Sequence, residues 1–240
     1  MSNYESRDWY YNEFQHVGVD FESIEEVKSY DDEIGKGLNQ RDNCAEIVEA
    51  LDIKATDSVL EIGTATGRLA LDLSRVCKHV YAIDISEAML NFAREKAKSS
   101  EIENTSFIRA GFLTYQHEHN TLDAVITKFS LHHLPDHWKS VAVMRIFDML
   151  KPGGKLYLKD AMISVDIQDF YTSVDEWVAS TVETSGKKPA ETLELCIKEE
   201  YPTHSWSMRE MLTRAGFSID VMDIQNGLHT VFVCSKPINR

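Results

Sequence analysis

Between Val59 and Ala70 the chain reads Val-Leu-Glu-Ile-Gly-Thr-Ala-Thr-Gly-Arg-Leu-Ala. No other segment restricts the possible folds as much. An apolar, partly β-branched run ends in an acid, turns on two glycines and continues with helical spacing. Glycine at such a turn permits positive φ and lets a ligand approach bare backbone. The helix that follows begins with N–H groups that have no partner within the helix and that face the same crevice. Further on, Val80-Tyr81-Ala82-Ile83 is a second apolar run, and it ends in Asp84. In an open parallel sheet, ligands bind outside the carboxyl ends of the strands, near the point where strand order reverses. An acid at that place suits the two hydroxyls of a ribose, so the pattern points to a nucleoside cofactor.

Glycine spacing narrows the choice. Dinucleotide-binding turns carry G-x-G-x-x-G, which holds a pyrophosphate against the helix N-terminus. Here the order is Glu61-x-Gly63-x-x-x-Gly67, with Ala65 where a middle glycine would stand and Leu69 two residues after Gly67. Glu-x-Gly-x-(Gly/Ala)-x-Gly resembles the first motif of class I S-adenosylmethionine-dependent methyltransferases.

Later segments follow in matching order. Ile85-Ser86-Glu87-Ala88-Met89-Leu90 opens a helix that Ser86 can cap. Thr105-Ser106-Phe107-Ile108-Arg109 runs into Ala110-Gly111-Phe112. Leu122-Asp123-Ala124-Val125-Ile126-Thr127 leads into Lys128-Phe129-Ser130-Leu131-His132-His133-Leu134-Pro135. Met149-Leu150-Lys151-Pro152-Gly153-Gly154 precedes the apolar run Lys155-Leu156-Tyr157-Leu158 and reads as a helix end, a turn and a strand. From about Val59 to Asp160 the chain resembles the methyltransferase 11/25 type, which includes ubiquinone- and menaquinone-biosynthesis enzymes.

That resemblance implies S-adenosyl-L-methionine as cofactor and S-adenosyl-L-homocysteine as product. It implies that Gly63, Thr64 and Gly67 form the loop beneath the methionine part and that Glu61 orients the loop or reaches the cofactor's amino group. Asp84 is expected on the ribose hydroxyls, with Ile85 and Met89 on the adenine face. Gly111 departs from the pattern, because many relatives carry an aspartate there for the adenine amine. Adenine recognition would then fall to backbone groups of Gly111 and Phe112. Lys128 ends the fourth strand near the expected methyl position. Amino-methyltransferases acting on DNA or protein glutamine carry Asn/Asp-Pro-Pro-Tyr/Phe where this chain has Lys128-Phe129-Ser130-Leu131, which argues against that chemistry.

Composition supplies bounds. At 240 residues and 43% hydrophobic, one sizeable core can form without disulfides or metals. Apolar runs fall well short of the roughly 20 residues that span a bilayer, and the first residues lack a secretory pattern. Cys44, Cys77, Cys196 and Cys234 form no C-x-x-C pair, which suits a reducing, cytoplasmic setting. The net charge of −14 repels phosphate backbones, so the expected acceptor is a small molecule rather than nucleic acid.

Alternating strand-like and helix-like stretches predict a Rossmann-like three-layer α/β sandwich. Its sheet has seven strands, mostly parallel, with an antiparallel last strand. Strands are expected near 58–62, 79–84, 105–109, 121–127, 154–160, 217–224 and 229–235. Helices are expected near 66–76, 86–98, 137–150 and 207–215, the last opened by the Ser207-x-x-Glu210 box and stopped by Gly216. The chain reads as one methyltransferase domain. Within it, 1–40 is a helical covering segment, 41–160 the cofactor-binding core, 161–205 an acceptor-side helical insertion with a turn at Gly186-Lys187-Lys188-Pro189, and 206–240 a helix and strand pair. Tyr10, Tyr11 and Tyr30 in the covering segment can line a pocket, since a phenol keeps a wet tip on an apolar ring.

For catalysis, His132, His133 and Tyr11 are the candidates, imidazole being suited to proton removal near pH 7. No metal is expected, since no Asp-Asn pair follows the fifth strand at Asp160. Two other readings stand at this stage: a protein that holds S-adenosylmethionine without turning it over, and a nicotinamide-dependent Rossmann oxidoreductase. The acceptor and the oligomeric state are left open.

Overall fold

A computed structural model of the chain describes residues 8–15, 17–18, 27 and 44–238. Tyr30 lies outside them. Seven strands, β1 (Ser58–Ile62), β2 (His79–Asp84), β3 (Thr105–Arg109), β4 (Leu122–Lys128), β5 (Leu150–Ile163), β7 (Ser218–Gln225) and β8 (His229–Ser235), pair in the order β3-β2-β1-β4-β5-β8-β7. A two-residue strand, β6 (Thr203–His204), pairs with the end of β5. All neighbours are parallel except β8, which runs antiparallel to both β5 and β7. Chain direction across the sheet reverses between β1 and β4, which places the switch point at their carboxyl ends.

The central strands are apolar on both faces, as parallel strands covered by helices must be. On one face Leu60, Ile62, Val125 and Leu156 pack with Leu131, Ile146, Leu212 and Phe232. On the other, Val59, Val80, Ala82, Ala124 and Ile126 pack with Ile47, Ala70 and Leu73. Glu61 shares the second face with Val59 and is buried. The helices from Cys44 onward are α1 (Cys44–Leu51), α2 (Arg68–Leu73), α3 (Glu87–Ser99), α4 (Asp136–Met149), α5 (Phe170–Ser185), α6 (Lys187–Glu199) and α7 (Ser205–Ala215).

Several boundaries differ from the sequence reading, each for a local reason. Helix α2 is shorter than 66–76. The Ser74 hydroxyl donates to the Leu71 carbonyl at 2.7 Å and competes with the helical ladder. Strand β5 begins at Leu150, because Pro152-Gly153-Gly154 joins the sheet instead of turning free of it. Gly153 N–H donates to Lys236 at 2.7 Å and Lys236 N–H to Gly154 at 2.9 Å, while the register against β4 shifts between Leu122 and Ala124. Helix α7 starts at Ser205, two residues before the expected box, and ends at Gly216 with φ 108°. The turn between α5 and α6 is Gly186 alone, at φ 97°. Residues 8–15 form turns rather than a helix. Asn12 accepts the Phe14 N–H on its side chain at 3.1 Å and the Gln15 N–H on its carbonyl at 3.2 Å, the local closure that favours turns over helices. Among the described residues, no helix is long and apolar enough to cross a membrane.

Candidate active site

At the carboxyl end of β1 the backbone reverses through Gly63 (φ 78°), Ala65 (φ 46°) and Gly67 (φ 75°). A Cβ on Gly63 would come within 2.5 Å of the Ser130 side chain, and one on Gly67 within 2.8 Å of Ala93 Cβ. Both glycines are thus required by conformation and by space. Gly63 and Thr64 donate their N–H groups to the Ile83 carbonyl at 2.9 and 3.0 Å, tying the loop to β2. Thr64, buried, donates its hydroxyl to Glu61 Oε2 at 2.6 Å, and the Ala70 N–H at the start of α2 also bonds the Glu61 carboxylate. Burial pushes the Glu61 carboxyl up to about 7, with the Thr64 bond and the Lys128 charge pulling the other way.

Asp84 spans the loops that follow β1 and β2. Its Oδ2 accepts from Ala65 N–H at 2.8 Å and its Oδ1 from Ser86 N–H at 2.9 Å. A carboxylate oxygen can accept more than one hydrogen bond. Ser86 caps α3 by accepting from Met89 N–H at 3.1 Å. Ile85 is half-buried beside it and Met89 is fully buried. Asp84 and Ile85 therefore stand beside the Gly63–Gly67 loop at the carboxyl ends of β1 and β2, with Met89 buried in the first turn of α3. Gly111 and Phe112 follow β3 at the next position in the sheet, tied to Asp84 by the bond from Ala110 N–H to its carbonyl at 3.0 Å.

Gly111 carries a feature that sequence reading missed. A Cβ there would lie 2.4 Å from Glu13 Oε2. Buried Glu13 accepts from the N–H groups of Leu113 and Thr114 and from the Thr114 hydroxyl, at 2.6–3.1 Å. A carboxylate from the N-terminal segment thus occupies the space left by the missing side chain. Burial raises its pKa, against these donors and Arg145. The signal was the glycine itself, an open place beside backbone donors. The same segment reaches the loop after β3 through Tyr10, whose hydroxyl is 3.4 Å from the Leu113 carbonyl. It reaches the turn after β4 through Tyr11, whose hydroxyl is 3.4 Å from the His133 carbonyl. Those two loops flank β2 and β1 in the sheet order.

Lys128 ends β4, half-buried. Phe129 follows with φ 50°, a costly conformation for an aromatic residue. It is held by its N–H bond to the Lys159 carbonyl at 2.8 Å and an edge contact with His229 at 5.2 Å. Ser130 then bonds Thr127 and the Ile62 carbonyl, and a single 3-10 turn, Leu131–His133, presents the two histidines.

Asp160, within β5, organises that turn. Its Oδ2 accepts from Leu131 N–H at 2.8 Å, and His132 Nδ1 lies 2.5 Å from its Oδ1. On the other side His132 Nε2 is 3.2 Å from Glu200 Oε2. Burial opposes the His132 charge, but Asp160 and Glu200 outweigh it and lift the imidazole to about 10. His132 thus sits between two carboxylates that favour its charged form. His133, with a quarter of its side chain exposed, has Nδ1 3.8 Å from Glu200 Oε1. Glu200 and buried Lys139, which bonds Asp136 and the Tyr201 carbonyl, are further residues with no motif to announce them.

Asp84 and Glu61 place two carboxylates at the glycine loop, and that loop carries no third glycine of the kind that admits a pyrophosphate. A family model described as "Methyltransferase domain" matches residues 59–154. An uncharacterized methyltransferase of Bacillus cytotoxicus is 30% identical over 174 residues, 72% of this chain and 76% of that protein. One of Bacillus cereus is 29% identical over the same shares. Among solved structures, an S-adenosylmethionine-dependent methyltransferase from Aquifex aeolicus aligns with TM-score 0.62 at 18% identity, over 89% of this chain and 98% of that one. A phosphoethanolamine N-methyltransferase 2 of Haemonchus contortus, solved with S-adenosyl-L-methionine, gives 0.66 at 17% identity, over 91% and 60%. The [4+2]-cyclase SpnF also shares the fold, at TM-score 0.65 and 13% identity over 93% and 98%, so the architecture alone does not fix the chemistry. Motif, crevice and relatives agree: the chain belongs to the class I S-adenosylmethionine-dependent methyltransferases, and the nicotinamide and non-catalytic readings give way to methyl transfer.

Proposed function

We propose that the chain methylates a small organic molecule. The observation that carries this reading is the N-terminal segment, bound through Glu13, Tyr10 and Tyr11 to the loops on either side of the crevice. Such a strap narrows the approach to a size suited to a small acceptor, and the −14 net charge disfavours nucleic acid. Bound S-adenosylmethionine supplies an electrophilic sulfonium methyl that an acceptor atom displaces in line.

The chain's own residues do the positioning. Gly63, Thr64 and Gly67 shape the floor, and Glu61 places a negative charge near the cofactor's cationic end. Asp84 accepts from the ribose hydroxyls. Ile85, Met89 and the Gly111–Phe112 backbone enclose the adenine. Lys128 and Phe129 border the transfer point. Positioning and exclusion of water supply most of the acceleration for such a leaving group. His132 holds its turn and takes no proton from the acceptor; Tyr11 and His133 face the acceptor side. The segment 161–205 extends the wall beside the strap, since Tyr201 bonds Tyr11 and Glu200 packs against Gly18, within a single domain. Four free cysteines suit a cytoplasmic setting.

Calorimetric titration with S-adenosylmethionine and S-adenosylhomocysteine, followed by a mass-spectrometric screen of small oxygen, nitrogen and sulfur nucleophiles, tests the reading. A methylated small product supports it. Transfer confined to protein or nucleic acid would overturn it.

A further inference from the structure

We propose that His132, His133 and Glu200 form a binding site for a divalent first-row transition cation. One ligand atom from each lies within 4.8 Å of the others. His132 Nε2 and Glu200 Oε2 are 3.2 Å apart, and His133 Nδ1 and Glu200 Oε1 3.8 Å. Metal–ligand bonds of about 2.0–2.2 Å put two ligand atoms about 3.0–3.5 Å apart at right or tetrahedral angles. The first pair already stands at that spacing. A modest rotation of His133, the most exposed of the three, closes the set. The two imidazoles lie side by side, with centroids 4.3 Å apart.

Asp160 strengthens the case. Ligating histidines commonly give their other ring N–H to a carboxylate, which fixes the tautomer and turns the free nitrogen toward the ion. The 2.5 Å contact between His132 Nδ1 and Asp160 Oδ1 is that arrangement, with Nε2 aimed at Glu200. Binding releases the His132 Nε2 proton to solvent, after which Asp160 and Glu200 together carry two negative charges that the divalent ion balances. Two nitrogens and one carboxylate favour zinc or cobalt over magnesium or calcium, which take all-oxygen sets. Three protein ligands leave coordination open. The ion would also join the insertion, through Glu200, to the turn after β4. This site does not depend on the identity of the methyl acceptor.

Full-length protein, dialysed against chelator, is titrated with zinc chloride and cobalt chloride, with magnesium chloride as the comparison. One equivalent of zinc should bind with a dissociation constant of about 10 µM or tighter and raise the melting temperature, while magnesium does neither. His133→Ala and Glu200→Gln should each weaken zinc binding at least about tenfold, and Asp160→Asn by about 10–100-fold. His133 is partly exposed and outside the buried His132–Asp160 pair, so that variant tests the site even if the others misfold, with circular dichroism as the check on folding. Absence of zinc binding, or tight binding unchanged in His133→Ala, would overturn the proposal and leave an imidazolium held between carboxylates.

Discussion

The Gly63–Gly67 loop and the corner around His132 sit at the ends of neighbouring strands, β1 and β4, yet they are put together in opposite ways. The loop is local. Its glycines, Glu61 and Thr64 lie within seven residues of sequence, and its backbone is tied to β2, the next strand along the chain. The corner is collected from the turn after β4, from β5 and from the residue that follows α6. The first kind of site leaves a motif; the second leaves only residues whose meaning depends on distant partners. They also differ in what they do with charge. Asp84 is half-buried and accepts from two backbone N–H groups. Asp160 is fully buried and bonded on every side, so its job is to hold.

That contrast can be broken most directly at Asp160. In chelator-treated protein, Asp160→Ala leaves a buried imidazole and three backbone donors without their partner, and it should cost about 3–5 kcal/mol of unfolding free energy by urea titration. A cost below about 1 kcal/mol would mean that the corner behaves like a surface ion pair.

The Glu61 carboxyl sharpens the comparison from the other side, since burial raises it from 4.5 to about 7. A carboxyl whose folded pKa is raised is neutral in both states below the unfolded value and costs nothing there. Its penalty grows as pH rises from about 4.5 to 7 and is complete above 7. Glu61→Gln should therefore match the parent near pH 4.5 and exceed it by roughly 3 kcal/mol at most above pH 7. A constant difference across that range would show that Glu61 is ionised without cost. If the carboxylate faces the cofactor's cationic end, cofactor affinity in the parent should also rise over the same pH interval.

Asp84→Ala is expected to raise the dissociation constant for S-adenosylmethionine about 100-fold through lost charge-assisted hydrogen bonds, with far-UV circular dichroism unchanged. An unaltered constant would take Asp84 out of the site. The smallest effect is expected from Gly67→Ala. The left-handed backbone and the approach to Ala93 should lower stability by about 1–2 kcal/mol, read as a drop in melting temperature.

The same contrast explains what could be read in advance. Strand positions were legible because both faces of β1, β2 and β4 are apolar and each run ends at a turn. The cofactor loop was legible because left-handed backbone and close packing demand glycine at 63 and 67. The role of His132 was not, since two adjacent histidines carry no mark of whether Asp160 and Glu200 will enclose one of them. Glu13 was hidden for a similar reason. Its partners, Leu113 and Thr114, offer backbone N–H groups, which every residue has. The start of β5 at Leu150 was misplaced because Pro152-Gly153-Gly154 is a strong turn signal that the Lys236 backbone overrides.

The position of β8 bears on how the molecule comes into being. It lies inside the sheet, between β5 and β7, although it is made after both. A nascent chain can bring β1 to β4 together while the rest is still being synthesised, but β5 must wait for the antiparallel partner that arrives last. Until then its edge is open, and open edges recruit strands from other chains. Chains cut short before residue 229 should therefore precipitate rather than yield a working half, and a ribosome that pauses late would expose the most aggregation-prone form of this enzyme.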